Sequence, residues 1–207
     1  MKRLSAGPLS GHFPPVILAS ASPRRQALLA ELNVPFEVLP AHTPESAGEH
    51  LTPQENCLLN AYRKARWISK QHPDALVLGA DTEVCLGPRI FGKPANLDQA
   101  REFLTALSGR THTVITGVCL LHLRRHRERL FAVSTRVTFH TLSPATIDLY
   151  LQHVHTLDKA GAYGIQDQGQ LIVRKISGSY SNVVGLPLEQ LRKELRRFRL
   201  PRIIGQA

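Results

Sequence analysis

Apolar positions along the chain alternate between short unbroken runs and stretches of helical period. Residues 16–19 form an unbroken apolar run, the pattern of a strand buried on both faces. The run feeds Ser22-Pro23-Arg24-Arg25, where Ser22 suits the N-cap and Pro23 the first helical position, and Leu28, Leu29 and Leu32 supply an apolar face. A short strand is expected at 36–39, followed by a polar loop to His50. Thr52-Pro53-Gln54-Glu55 carries the capping-box signature and opens a long helix whose Leu58, Ala61, Tyr62, Ala65 and Ile68 recur at helical spacing. Residues 75–78 predict a second buried strand that ends at Gly79-Ala80-Asp81-Thr82. A helix over 98–108 buries Ala100, Phe103, Leu104 and Leu107, and Gly109 stops it. Residues 113–123 and 130–140 predict a β-hairpin, Ser143-Pro144 opens a helix through 151, a strand follows at 171–176, and a final helix starts after Pro187. Strands alternating with helices around a long antiparallel pair predict an α/β protein with a mixed sheet and flanking helices. With no repeat or linker in view, the expected organisation is an N-terminal extension over 1–15, one domain over 16–200 and a tail over 201–207.

Composition narrows the class. The chain has 207 residues, 43% of them hydrophobic and 20% charged, enough for one sizeable core. No run approaches the about eighteen apolar residues of a membrane span, and residues 1–15 lack the pattern of a secretory signal, so a soluble cytoplasmic protein with no membrane partner is expected. Cys57, Cys85 and Cys119 are odd in number and widely spaced, which predicts neither a disulfide framework nor a zinc site. Twenty-six Lys and Arg against sixteen Asp and Glu give a net charge of +10, which favours anionic partners. Two basic clusters, at Arg124, Arg125, Arg127 and Arg129 and at Arg192, Lys193, Arg196, Arg197, Arg199 and Arg202, read as a solvated hairpin tip and helix face. Neither is interleaved with aromatics that stack bases, so no nucleic-acid partner is expected.

The candidate chemistry sits elsewhere. Ser20, Arg24 and Arg25 fall where a strand yields to a helix, a junction whose free N–H groups and positive dipole end suit an anion, although a plain helix cap with exposed arginines reads equally from these residues. Neither a Walker A loop nor G-x-G-x-x-G is present. Asp81 lies just past a predicted strand, where ligand crevices of α/β sheets open, or else it is a turn aspartate. Glu45 is a second candidate carboxylate, while Lys64 on the long helix and Lys93 in Gly92-Lys93-Pro94 are candidate cations; each alone could be a solvated charge. Together they meet the needs of phosphoryl chemistry: a carboxylate for a divalent cation, cations for phosphates, a base for water. Residues 158–166 are too polar and glycine-rich for a core element, and Gln166 offers the donor and acceptor of an amide to a base edge.

Read as a set, these segments resemble the Maf family of nucleotide pyrophosphatases. The resemblance is carried by Leu18-Ala19-Ser20-Ala21-Ser22-Pro23-Arg24-Arg25, Leu78-Gly79-Ala80-Asp81-Thr82, Gly92-Lys93-Pro94, Leu107-Ser108-Gly109-Arg110-Thr111-His112, residues 158–166 and Val184-Gly185-Leu186-Pro187. It implies an elongated α/β fold with a central cleft, related to inosine triphosphate pyrophosphatases. It also implies metal-dependent hydrolysis of a nucleoside triphosphate to the monophosphate and pyrophosphate, including the clearing of modified nucleotides. By resemblance Asp81 is the proton acceptor; Glu45 and Asp81 hold the divalent cation (Mg, Mn or Co); Arg25, Lys64 and Lys93 bind the substrate's phosphates, and Ser20 is a further substrate-binding residue. Arg24, Thr82 and Gln166 match the residue types of members acting on dTTP and UTP. Pro44 precedes Glu45 where relatives carry a second acidic residue. The preferred base, the native metal and the oligomer, a homodimer included, stay open at this point, and a nucleic-acid-binding or cell-division regulatory protein is the alternative class.

Overall fold

The computed structural model describes residues 14–44 and 50–198; Glu45, most of the N-terminal extension and the tail lie outside them. In chain order the elements are β1 (Val16–Leu18), α1 (Pro23–Ala30), β2 (Phe36–Val38), α2 (Pro53–Gln71), β3 (Leu76–Leu86), β4 (Arg89–Phe91), α3 (Leu97–Leu107), β5 (Thr111–His122), β6 (Arg127–Phe139), α4 (Pro144–His153), β7 (Val173–Ser177), α5 (Tyr180–Val184) and α6 (Leu188–Arg197). One mixed sheet joins the strands in the order β2-β1-β3-β5-β6-β7, with β4 added to the far end of β3. The α/β class with a mixed, helix-flanked sheet agrees with the sequence reading.

Alternation along the central strands sorts the core. Leu76, Leu78 and Ala80 of β3 and Val118 and Leu120 of β5 face α1 and α6, whose Leu28, Leu29, Leu191 and Leu195 complete one apolar cluster. On the opposite face Val77, Cys119 and Leu121 pack beneath Ala61, Ala65 and Ile68 of α2. A third cluster covers the other half of the first face, where Val84, Val114, Val137 and Phe139 meet α3 and α4. Between the first and third clusters runs a polar seam on the sheet, occupied by the cross-strand pair Thr82 and Thr116. The two apolar cores on that face therefore do not merge, and the gap between them becomes the cleft floor.

Strand pairing opens the same region. On one edge of β3, β1 pairs only as far as Leu78, and β4 begins only at Val84. The stretch between is bordered by strands on the β5 side alone, where Asp81 lies opposite Gly117 and Thr82 opposite Thr116. Here the sequence reading needs correction: the strand expected over 75–78 continues to Leu86, and Asp81 lies inside it rather than beyond its end. Its polar side chains belong to a strand because the β5 ladder holds their backbone from Val77 to Cys85, whichever way the side chains point. Strand β4 and helix α5 were not anticipated; the latter occupies part of the loop expected between 177 and 187, with Ser179 at its N-cap accepting from the Asn182 N–H.

The two basic clusters meet in space. Arg127 donates to the Arg197 carbonyl at 2.6 Å and lies over the Phe198 ring, while Arg129 pairs with the buried Glu194 at 2.9 Å. The hairpin tip is thus tied to the end of α6 and lines no part of the cleft, so Arg127 and Arg129 have tertiary partners that the reading of a solvated tip did not include. No helix among the described residues is long and apolar enough to cross a membrane.

Candidate active site

A cleft of about 790 Å³ opens at the notch in β3. Of the nine site residues expected from the sequence, eight line it: Ser20, Arg24 and Arg25 from the β1–α1 turn, Lys64 from α2, Asp81 and Thr82 from β3, Lys93 from the segment after β4, and Gln166 from the loop before β7. The ninth, Glu45, lies outside the described residues. Residues from five separate stretches converge because β1, β3 and β4 end or interrupt their pairing at one place.

Asp81 is nearly buried, and both carboxylate oxygens are engaged. Lys64 Nζ donates to Oδ1 at 2.6 Å in a buried ion pair, and Asn60 Nδ2 donates to Oδ2 at 3.1 Å. Asn60 and Lys64 are four apart on α2, hence on one helix face, and they grip the carboxylate from the same side. With a donor on each oxygen, rotation of the carboxylate about its χ2 bond is opposed at both ends. Asn60 was not anticipated from the sequence; its signal is the i, i+4 spacing to Lys64.

The neighbouring residue points to the other face of the sheet. Thr82 Oγ1 accepts from Arg25 Nη2 at 2.9 Å and shares a hydrogen bond with Thr116 Oγ1 at 3.0 Å, while Arg25 Nε donates to the Gly185 carbonyl at 2.9 Å and Nη1 to Ser20 Oγ at 3.3 Å. Thr116 in turn donates to the Asn182 carbonyl at 3.1 Å. The Arg25 guanidinium is therefore fixed at the seam between the two cores, with its plane set by three acceptors. Ser22 occupies the α1 N-cap as expected but makes no side-chain cap bond, and Ser20 Oγ instead accepts from the Ser22 N–H at 3.3 Å. Lys93 is exposed at the lip.

Arg24 faces the opposite wall, where it pairs with Asp158 at 2.8 Å and reaches the Asp158 carbonyl at 3.3 Å. Burial by itself would raise the Asp158 carboxyl, but hydrogen bonds from Arg24 and Lys159 and the charges behind them outweigh it and hold the group at about 2. A folded value below the ordinary 3.8 means that this latch contributes fully to stability above pH 3.8 and loses its contribution as the pH falls toward 2. The stability difference between the wild type and Asp158→Asn, measured by urea unfolding, is accordingly expected to be constant near neutrality and to vanish across that acid range. A difference that persists undiminished at the acid end would show the pairing to be energetically idle.

A divalent cation needs oxygen donors, and the geometry supplies them. Glu83 follows Asp81 by two along the strand and so projects to the same face; Cys57 Sγ and one oxygen of each carboxylate lie within 4.8 Å of one another. The Cys57 thiol is pushed up, chiefly by burial and further by the Glu83 and Asp81 charges, so it stands there as a neutral thiol beside two carboxylates. The residues present fit a hard divalent ion held by Asp81 and Glu83. Glu83 has no signal in a sequence reading that ends the strand at residue 78, because its period-two relation to Asp81 exists only in the longer strand.

Comparison with known proteins places this geometry in a family. The family model described as "Maf-like protein" matches residues 15–198, and the chain belongs to that family. It is 48% identical over 183 residues to the dTTP/UTP pyrophosphatase of Moorella thermoacetica (strain ATCC 39073 / JCM 9320), covering 88% of this chain and 94% of that one. It is 42% identical over 185 residues to the dTTP/UTP pyrophosphatase of Bacillus velezensis (strain DSM 23117 / BGSC 10A6 / LMG 26770 / FZB42), with coverage of 89% and 97%. Among solved structures, a HAM1 protein from Coxiella burnetii aligns over 89% of this chain and 100% of its own at 15% identity and a TM-score of 0.49. The family resemblance read from the sequence is borne out.

Proposed function

We propose that the protein hydrolyses nucleoside triphosphates, dTTP and UTP foremost, to the monophosphate and pyrophosphate. The reading is supported by relatives of that name at 42% and 48% identity, and it rests on one observation: a buried carboxylate, gripped at both oxygens, beside Arg25 and Lys64 in a single cleft. The triphosphate lies across Arg25, Lys64 and Lys93, whose positive charges meet its negative oxygens. Asp81 accepts a proton from water as the oxygen attacks the α-phosphorus; the bond to the bridging oxygen breaks and pyrophosphate leaves. Asn60 and Lys64 keep the carboxylate aimed at that water. A divalent cation (Mg, Mn or Co), held by Asp81 and Glu83 together with the expected Glu45, would supply charge neutralisation on the phosphate oxygens. Gln166 pairs with the carbonyl and N3–H edge that thymine and uracil share, a pattern that cytosine reverses at its 4-position. The setting is a reducing cytoplasm, which suits three buried free thiols.

The test is a panel of triphosphates assayed with Mg²⁺, Mn²⁺ and Co²⁺ for release of pyrophosphate. The kcat/KM for dTTP and UTP is expected to exceed that for ATP and GTP by at least ~10-fold, because a bound base that covers Gln166 without pairing with it forgoes roughly 1–3 kcal/mol of hydrogen bonding that the right base makes. Orthophosphate as the product would move the attack to the γ-phosphorus. Equal kcat/KM for purines and pyrimidines would remove the base assignment.

A further inference from the structure

Lysine is seldom buried unless it is paired, and Lys159 is 6% exposed. Its ammonium donates to the His155 carbonyl at 2.5 Å and to Asp158 Oδ1 at 2.9 Å, and it forms an ion pair with Asp167 Oδ2 at 3.4 Å. The methylene stem runs beneath Gly164, so closely that a Cβ there would come within 2.7 Å of Lys159 Cε. Gly164 and Asp167 are the two ends of one turn, closed by the Asp167 N–H donating to the Gly164 carbonyl at 3.2 Å, and Gln166 is a central residue of that turn. Tyr150 Oη, itself buried, pins the first end from below by accepting from the Gly164 N–H at 3.0 Å and donating to its carbonyl at 3.2 Å.

From this arrangement we infer that Lys159 is a positioning residue for base selection: its stem supports one end of the turn and its ammonium holds the other, so that Gln166 is presented to the cleft in one place. The inference rests on the reading of Gln166 as the residue that meets the base. Gln166 is itself exposed, and an exposed turn free at either end would let its amide wander by more than the fraction of an ångström that hydrogen-bond discrimination tolerates. The same lysine shares Asp158 with Arg24 of α1, so the turn is braced against the helix that presents Arg25. Lys159 touches no part of the phosphate-binding wall formed by Arg25 and Lys64, and its removal should therefore be felt in selectivity ahead of phosphate affinity.

The experiment compares wild type, Lys159→Met, Asp167→Ala, Gln166→Ala and the double variants that combine Lys159→Met or Asp167→Ala with Gln166→Ala. The readouts are the ratio of kcat/KM for UTP over ATP and the inhibition constant of inorganic pyrophosphate. Lys159→Met is expected to lower the ratio about tenfold, to the level of Gln166→Ala, with the pyrophosphate constant unmoved and no further fall in the double. Asp167→Ala, which removes an exposed carboxylate and leaves the core alone, carries the same expectation if Lys159→Met does not fold. An unchanged ratio, a fall additive with Gln166→Ala, or an equal loss on both triphosphates together with weaker pyrophosphate binding would overturn the positioning role. Gln166→Ala alone judges the base reading: an unchanged ratio there discards that reading and this inference together, whereas a lowered ratio there with none in the Lys159 and Asp167 variants discards the inference only.

Discussion

Asp81→Asn is expected to leave the protein folded and to lower kcat on its best triphosphate by about 10²–10⁴-fold, the usual worth of a positioned general base. The substitution preserves shape and one acceptor oxygen but replaces the other oxygen by an amide donor. Lys64, which donates to Oδ1 at 2.6 Å, then faces a neutral amide in place of its buried ionic partner, while Asn60, which donates to Oδ2 at 3.1 Å, carries both a donor and an acceptor and can pair with the new amide by turning its own. Loss of about 1–3 kcal/mol of stability should accompany the kinetic defect, without loss of structure. The two effects separate in measurement, since near-ultraviolet circular dichroism reports the packing while pyrophosphate release under saturating substrate reports the chemistry. Turnover close to wild type would remove Asp81 from the proton transfer, whatever the fold does. The Arg25 and Thr82 contacts on the other face of the strand should be untouched, so KM is expected to change far less than kcat.

Most of the fold was legible because its signals are local. Pro23, Pro53 and Pro144 open the three helices that the sequence starts at those points, and the Thr52 capping box is present with both of its reciprocal bonds. The length of β3 was not legible. Its middle, Gly79 to Glu83, carries glycine and polar residues because it lines a cleft, and only the ladder to β5, more than thirty residues away, makes it a strand. That single misreading hid Glu83, whose relation to Asp81 depends on the strand continuing. The cations and carboxylates were legible together as a set suited to phosphoryl chemistry and Gln166 as an amide in a glycine-rich loop, whereas each one's particular role came from the resemblance, since each alone reads as an ordinary surface charge or turn residue. Asn60, Asp158 and Lys159 act through tertiary partners 21 to 134 residues away or through a closed turn, and such pairings have no local signature.

Replacing Gly117 by alanine should disable the site through helix α2, on the sheet face that carries Asp81. An added Cβ would stand 2.5 Å from the Cys57 carbonyl carbon, 2.6 Å from its oxygen and 2.7 Å from the Leu58 nitrogen, all of them backbone of α2. A clash with helix backbone cannot be relieved by turning a side chain, so either β5 or α2 must move. Gly79 makes the same demand one helical turn further on, where a Cβ would lie 2.2 Å from the Ala61 carbonyl oxygen. These two glycines let α2 lie directly on the sheet, and that closeness brings Asn60 and Lys64 within hydrogen-bond reach of Asp81, the residue paired with Gly117 across the strands. Overpacking of a filled core costs on the order of 3 kcal/mol, which for a chain of this size is a fall in Tm of about 10 °C. Folded Gly117→Ala is expected to lose kcat by at least ~10-fold as well, since a displacement of about 1 Å is enough to spoil a short charged pair and the aim of the base. Thermal unfolding and pyrophosphate release measured on the same sample check both parts. A variant with unchanged Tm and turnover would mean that α2 can lift from the sheet at no cost, and the close packing would then have no part in holding Asp81.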